Sequence, residues 1–263
     1  MNVASPDMKP RLGSPATAVI ITGGASGIGL ATAAALAAVG RPVALWDINA
    51  ARLKDEAQRL AATYKVPTHA VAVDLRNPQS VVPAVNETRA ALPRIGGLVH
   101  AAGTVDRGSL EGITPETWDA HMNVHLRPLP LITQALLEDL KASNPGSAIV
   151  AVASINATMG NGMNPIYTAA KGGMLSLVRS LADRLARDGI RINSVSPGFT
   201  RTPMLQGAVD AIGEGFFAGK VLLERMGEPA ELGRAIRFLL SDEASYITAA
   251  ELIVDGGTVS SQR

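Results

Sequence analysis

Tyr167-Thr168-Ala169-Ala170-Lys171 sets a phenol and an ammonium four positions apart, which on a helix means one face and neighbouring side chains. A phenol near its ordinary pKa of about 10 is a sluggish acid or base at neutral pH, and an adjacent cation stabilises phenolate and brings it toward the working range. Ser154 ends an apolar run 13 positions before Tyr167. Taken singly, such residues are commonplace on solvated helices and strand ends, so their meaning depends on what else the chain carries.

A second constellation lies near the start. Thr22-Gly23-Gly24-Ala25-Ser26-Gly27-Ile28-Gly29 directly follows the first apolar run and leads into a helical stretch over 30–39. Glycines in that place permit a tight turn and let backbone approach a pyrophosphate, whose charge is received by the free N–H groups and dipole of the next helix. Asp47 ends the second apolar run, close to the interval at which a ribose-binding acid is expected. Its oxygens can accept from both hydroxyls of an adenosine ribose and would repel an added phosphate, and neither Lys nor Arg occupies the glycine loop or the position after Asp47. The cofactor expected is therefore NAD rather than NADP.

The elements that position these groups follow from the alternation of short Val/Ile/Ala-rich runs with longer amphipathic segments, the pattern of βαβ units carrying a buried parallel sheet. Seven strands are predicted near 17–22, 43–47, 68–74, 97–101, 147–153, 191–196 and 252–254. Thr114 caps a helix opened by Pro115, with Glu116 in its first turn, and Pro165, Asn77-Pro78 and Glu228-Pro229 mark further helix starts. Residues 1–15 read as a flexible leader and 16–263 as one domain. The glycine-dotted stretch 204–227 resists assignment, as functional lids do.

With Ser154, Tyr167 and Lys171 in place behind the glycine motif, the chain resembles the short-chain dehydrogenase/reductase family over nearly all of its length from about residue 16. The further markers are Asp74-Leu75, Ala102-Gly103, Asn123, Pro197-Gly198 with Thr202, and Val254-Asp255-Gly256-Gly257. The resemblance implies an α/β, Rossmann-type doubly wound sheet of seven mainly parallel strands and a hydride transfer between NAD(H) and a secondary alcohol or ketone. It makes Tyr167 the proton donor or acceptor at the substrate oxygen, Ser154 a hydrogen-bonding partner of that oxygen, and Lys171 the holder of the nicotinamide ribose. Asn123 would kink its helix and hold a water completing the proton relay. Cofactor contacts are implied for Gly23, Ser26, Gly27, Ile28, Gly29, Asp47, Asp74, Leu75, Ala102, Gly103, Tyr167, Lys171, Pro197, Gly198, Phe199 and Thr202. Members usually assemble as homotetramers or dimers.

The substrate lid is expected around 203–227, where Met204, Leu205, Val209, Ile212, Phe216 and Phe217 offer few groups to orient a sugar, so the expected substrate is apolar or cyclic. Two other readings stand beside this one: a 3-oxoacyl carrier-protein reductase, and a dinucleotide-sensing scaffold without turnover. Lys and Arg number 24 against 23 acids, which leaves no excess for nucleic acid or an anionic membrane. No apolar run reaches the roughly 18 to 20 residues of a membrane span. Zero cysteines suit a cytoplasmic setting.

Two departures from the family pattern stand out. His100-Ala101 replaces a usual Asn-Asn before Ala102-Gly103, and Thr248-Ala249-Ala250 lacks the usual glycine after the threonine. His121 and His125 share a chelating spacing, but no Glu follows the first and no third ligand is evident, so no metal is expected.

Overall fold

The computed structural model describes residues 8–106 and 108–260. Seven strands form one all-parallel sheet: β1 (Ala18–Thr22), β2 (Val43–Asp47), β3 (Thr68–Ala72), β4 (Ile95–His100), β5 (Ala148–Val152), β6 (Arg191–Pro197) and β7 (Glu251–Val254). Their order is β3-β2-β1-β4-β5-β6-β7, the doubly wound arrangement, and every registered pairing is parallel. The switch point falls between β1 and β4, where the chain leaves the two strands toward opposite faces and opens the crevice in which such sheets bind ligands.

Every residue of β1 is buried, because helices cover both faces of a parallel sheet. Alternation then sorts its side chains. Ala18 and Ile20 enter one apolar layer with Leu129, Ile132, Met174 and Val178, whereas Val19 and Ile21 enter the other with Leu36, Leu53, Leu232 and Ile236. The first layer is closed by α3 (Val81–Ala91), α5 (Pro128–Ala135) and α8 (Pro165–Ala186). The second is closed by α1 (Gly27–Ala37), α2 (Ala50–Tyr64) and α11 (Pro229–Leu239). The remaining helices are α4 (Pro115–His125), α6 (Leu137–Ala142), α7 (Asn156–Met159), α9 (Pro203–Ile212) and α10 (Glu214–Ala218).

Strand limits differ from expectation by up to two residues, as at β3, which ends at Ala72 rather than 74. Two further segments take a definite form. The stretch 204–227 is not irregular: Pro203 opens α9 behind Thr202, and α10 follows after Gly213. Residues 1–7 of the expected leader lie outside the described residues, but its end is docked. Arg11 and Ser14 both donate to Asp242, and the Asp242 N–H returns a bond to the Ser14 carbonyl. No helix among the described residues is long and apolar enough to cross a membrane.

Candidate active site

The glycine loop leaves β1 at Thr22 and folds over the end of β4. Gly23 has a φ of +69°, and a Cβ there would come within 3.0 Å of Ala101 and Ala102 backbone, so only glycine lets the two loops of the switch point meet. At Gly29 a Cβ would lie 2.2 Å from the Gly23 carbonyl, which fixes α1 tightly under the loop. Ser26 caps α1 without a side-chain hydrogen bond, and no acid occupies its first turn. The amide donors and dipole of that helix end are thus left for an anion, as a pyrophosphate requires. The Thr202 side chain lies 3.5 Å from where a Gly27 Cβ would stand, which brings the 197–202 segment to the same loop.

Asp47 points into this region, accepting the Ala25 N–H at 3.1 Å and the Asn49 N–H at 3.0 Å. Each oxygen keeps room for a further donor. Asp74 is differently engaged: Arg76 grips both its oxygens, at 2.9 and 2.7 Å, and this ion pair lowers the carboxyl pKa. Leu75 beside it is buried. Gly198 packs so closely on Asp255 that a Cβ would come within 2.7 Å, and the Phe199 ring meets that of Phe217 on α10 in a tilted contact at 5.2 Å. Helix α10 is therefore anchored through Phe217, which is buried, while Phe216 stays half exposed.

Ser154, Tyr167 and Lys171 come together beyond the end of β5. Lys171 is wholly buried and donates to the Val152 carbonyl at 2.6 Å; its Nζ lies 5.6 Å from the Tyr167 ring centre. Asp106 fixes the start of α8 by accepting the Tyr167 N–H at 3.0 Å. Gly173, where a Cβ would stand 3.1 Å from a Leu126 methyl, lets α8 lie close on α4. The electrostatics depart from the simple expectation. Burial pushes the Tyr167 phenol up, with a hydrogen bond from Ser154 drawing it back. Burial lowers Lys171 to about 7, so near neutrality it is a part-charged amine rather than a permanent cation.

Asn123 makes no direct bond to this group, and a residue expected to act through a water needs none. It is half-buried on α4, and no hydrogen bond or ring contact joins its side chain to Ser154, Tyr167 or Lys171 among the described residues. The helix does break nearby: the Arg127 N–H turns back to the Met122 carbonyl, and Pro128 has no N–H to continue the ladder. Two positions on, roughly 200° around the helix, His125 faces inward. Its ring meets Tyr167 edge to face at 5.3 Å and stacks on His121 at 6.2 Å. The spacing of His121 and His125 along the helix is the sequence signal that sets the two rings on one face.

His100 takes the place of an amide in the sheet. Its Nε2 lies 2.8 Å from the His125 carbonyl, which can only accept, so Nε2 carries the proton. Nδ1 then accepts from the Thr22 hydroxyl at 2.9 Å, and that oxygen in turn accepts the Ala101 and Ala102 N–H groups. Burial, with Lys171 nearby, lowers His100 to about 4, so the ring is neutral. The second departure also has a physical form: Ala249 adopts a φ of +59°, a left-handed conformation that glycine takes without strain.

A doubly wound sheet, an uncapped glycine-loop helix and a Ser–Tyr–Lys group at the strand ends define an oxidoreductase of the dinucleotide-binding class. A family model described as enoyl-(acyl carrier protein) reductase matches residues 23–259. Cyclopentanol dehydrogenase of Comamonas sp. (strain NCIMB 9872) is 35% identical over 240 residues, covering 91% of this chain and 95% of that protein. The 3-alpha-(or 20-beta)-hydroxysteroid dehydrogenase of Mycobacterium tuberculosis (strain ATCC 25618 / H37Rv) is 33% identical over 240 residues, covering 91% and 88%. The crystal structure of L-sorbose reductase from Gluconobacter frateurii, complexed with NADPH and L-sorbose, superposes with a TM-score of 0.88 at 29% identity, covering 95% of this chain and 99% of that one. The chain belongs to the short-chain dehydrogenase/reductase family, as an oxidoreductase of alcohols and ketones.

Proposed function

We propose that the protein is an NAD(H)-dependent oxidoreductase of apolar or cyclic secondary alcohols and ketones, with Tyr167 as general acid and base. The observation that carries this reading is the convergence of Ser154, Tyr167 and Lys171 at one end of the sheet, linked through His125 and Gly103 to the glycine loop. The nicotinamide ring supplies hydride chemistry when bound. Ser154 and Tyr167 hold hydrogen-bond donors where charge develops on the substrate oxygen, and so stabilise the transition state more than the ground state. A phenol kept protonated by burial is set to give its proton to a carbonyl oxygen, and Lys171 supports the phenolate left behind. Asp47 carries the preference for NAD. Met204, Ile212 and Phe216, all exposed on α9 and α10, support an apolar substrate.

Two of the basic groups near the lid are paired with acids, Arg201 with Glu214 and Glu228 and Arg225 with Glu231, and Lys220 lies over the Phe216 ring. That disfavours docking of an acidic carrier protein and hence the 3-oxoacyl reductase alternative. Initial rates on cyclic and aryl alcohols and ketones, polyols and a 3-oxoacyl thioester, each with NAD(H) and NADP(H), test the reading. Cyclic or aryl substrates with NAD(H) should lead, and Tyr167→Phe should lower kcat by roughly 10²- to 10⁴-fold. Equal rates in Tyr167→Phe and wild type would remove Tyr167 from the reaction, and no turnover by the wild type with any of these substrates and either cofactor would leave the sensing scaffold.

A further inference from the structure

His125 is a buried polar side chain to which the reaction above gives no part. It sits at the end of α4, wholly buried, between Tyr167 on one side and Gly103 on the other. A Cβ on Gly103 would come within 2.4 Å of the imidazole Cε1 and 2.7 Å of Nδ1, so glycine at that position makes room for this ring. Nδ1 has no hydrogen-bond partner. Nε2 faces two partners of opposite kind, the Thr104 carbonyl at 2.8 Å and the Thr104 N–H at 3.1 Å.

One ring nitrogen cannot serve both at once. A protonated Nε2 donates to the carbonyl, and a bare Nε2 accepts from the amide. Each neutral tautomer therefore finds a partner at Thr104, and Nδ1 is free to be acceptor in one and donor in the other. His100 shows the opposite arrangement, with a single tautomer fixed by a carbonyl on one nitrogen and a hydroxyl on the other. The groups acting on His125 are Lys171, His100 and His121, each a cation when protonated, and with burial they keep the ring neutral. The phenol of Tyr167 completes its surroundings.

We propose that His125 is a positioning residue for Tyr167 and Lys171, whose Nδ1 accepts a hydrogen bond while that pair holds its proton and donates one when the pair has released it. The role rests on the oxidoreductase reading. The bond to the pair is made directly or through one water, and the exchange of tautomers moves no net charge into the site. A side chain offering both a donor and an acceptor can do this, and an aliphatic one cannot.

Two measurements test the role. In ¹⁵N-histidine NMR of the unliganded protein, which has four histidines, His100 should hold one Nε2–H tautomer. His125 should stay neutral, with a tautomer ratio that changes as Lys171 titrates near about pH 7. In kinetics, His125→Leu should lower kcat by about tenfold or more with KM within about threefold, whereas His125→Asn, which keeps a donor and an acceptor, retains most of the rate. A packing role predicts the reverse order, because leucine suits a buried site better than an amide. An active wild type with a fixed His125 tautomer, or with His125→Leu as fast as His125→Asn, overturns this role alone. A wild type inactive with every substrate and both cofactors overturns the oxidoreductase reading and this role with it, even where the tautomer ratio behaves as described.

Discussion

His100→Asn should flatten the acid dependence of stability by an amount the structure fixes. In the unfolded chain the imidazole titrates at its ordinary 6.5, whereas in the fold burial and Lys171 hold it at about 4. As pH falls below 6.5 the unfolded state takes up a proton that the folded state refuses. The stability associated with a neutral His100 is thus fully present above pH 6.5 and lost progressively down to pH 4. Linkage puts the loss at about 2 kcal/mol between about pH 7.5 and 5, and about 3 kcal/mol by about pH 4. Asparagine keeps a donor for the His125 carbonyl and an acceptor for Thr22 but has nothing to protonate. Urea midpoints followed by circular dichroism for both proteins over this range give two curves, and their difference isolates the one residue because His125 and the carboxylates are common to both. Curves that stay parallel within about 0.5 kcal/mol from about pH 7.5 to 5 would refute the argument that this imidazole is neutral and trapped between a carbonyl and a hydroxyl.

Lys171→Met should abolish turnover and stabilise the fold. With Lys171 lowered from 10.5 to about 7, keeping it costs about 4 kcal/mol at pH 7, offset by about 1–3 from its bond to Val152. The cost is full below pH 7 and vanishes as pH rises toward 10.5, so a gain in urea midpoint that shrinks on going alkaline is expected. Ala249→Gly should relieve the left-handed backbone, raising stability by about 1 kcal/mol and the thermal midpoint by about 2–4 °C with kcat unchanged. Asp47→Ala should lower kcat/KM with NAD by about tenfold and raise the NADP/NAD efficiency ratio, since it removes ribose hydrogen bonds and a charge that repels phosphate.

The fold was legible because parallel strands covered on both faces must be apolar throughout, and short Val/Ile/Ala runs separated by amphipathic helices allow few other packings. The glycine loop and the Ser154, Tyr167, Lys171 group were legible because each is local: a turn, a strand end, one helical face. The helices of the lid were missed although Thr202-Pro203 repeats the Thr-Pro start that announced α4 at Thr114-Pro115, the scattered glycines having outweighed it. His125 was not legible as part of the site. Its surroundings come from Gly103, Thr104 and Tyr167, which no spacing along the chain connects.

What joins those pieces is a polar thread through the switch point. The Thr22 hydroxyl at the end of β1 gathers the Ala101 and Ala102 amides and donates to His100, and His100 donates to the carbonyl of His125, whose ring packs on Tyr167. The strand that launches the glycine loop and the helix that ends in His125, whose ring packs on the phenol, are thereby held by the same bonds. The bond from Thr22 needs a neutral imidazole at His100: a proton on its Nδ1 would leave Thr22 facing a donor instead of an acceptor. Acid should therefore disturb the seat of the cofactor loop at Thr22 first, because the Nε2–H of a protonated His100 still donates to the His125 carbonyl.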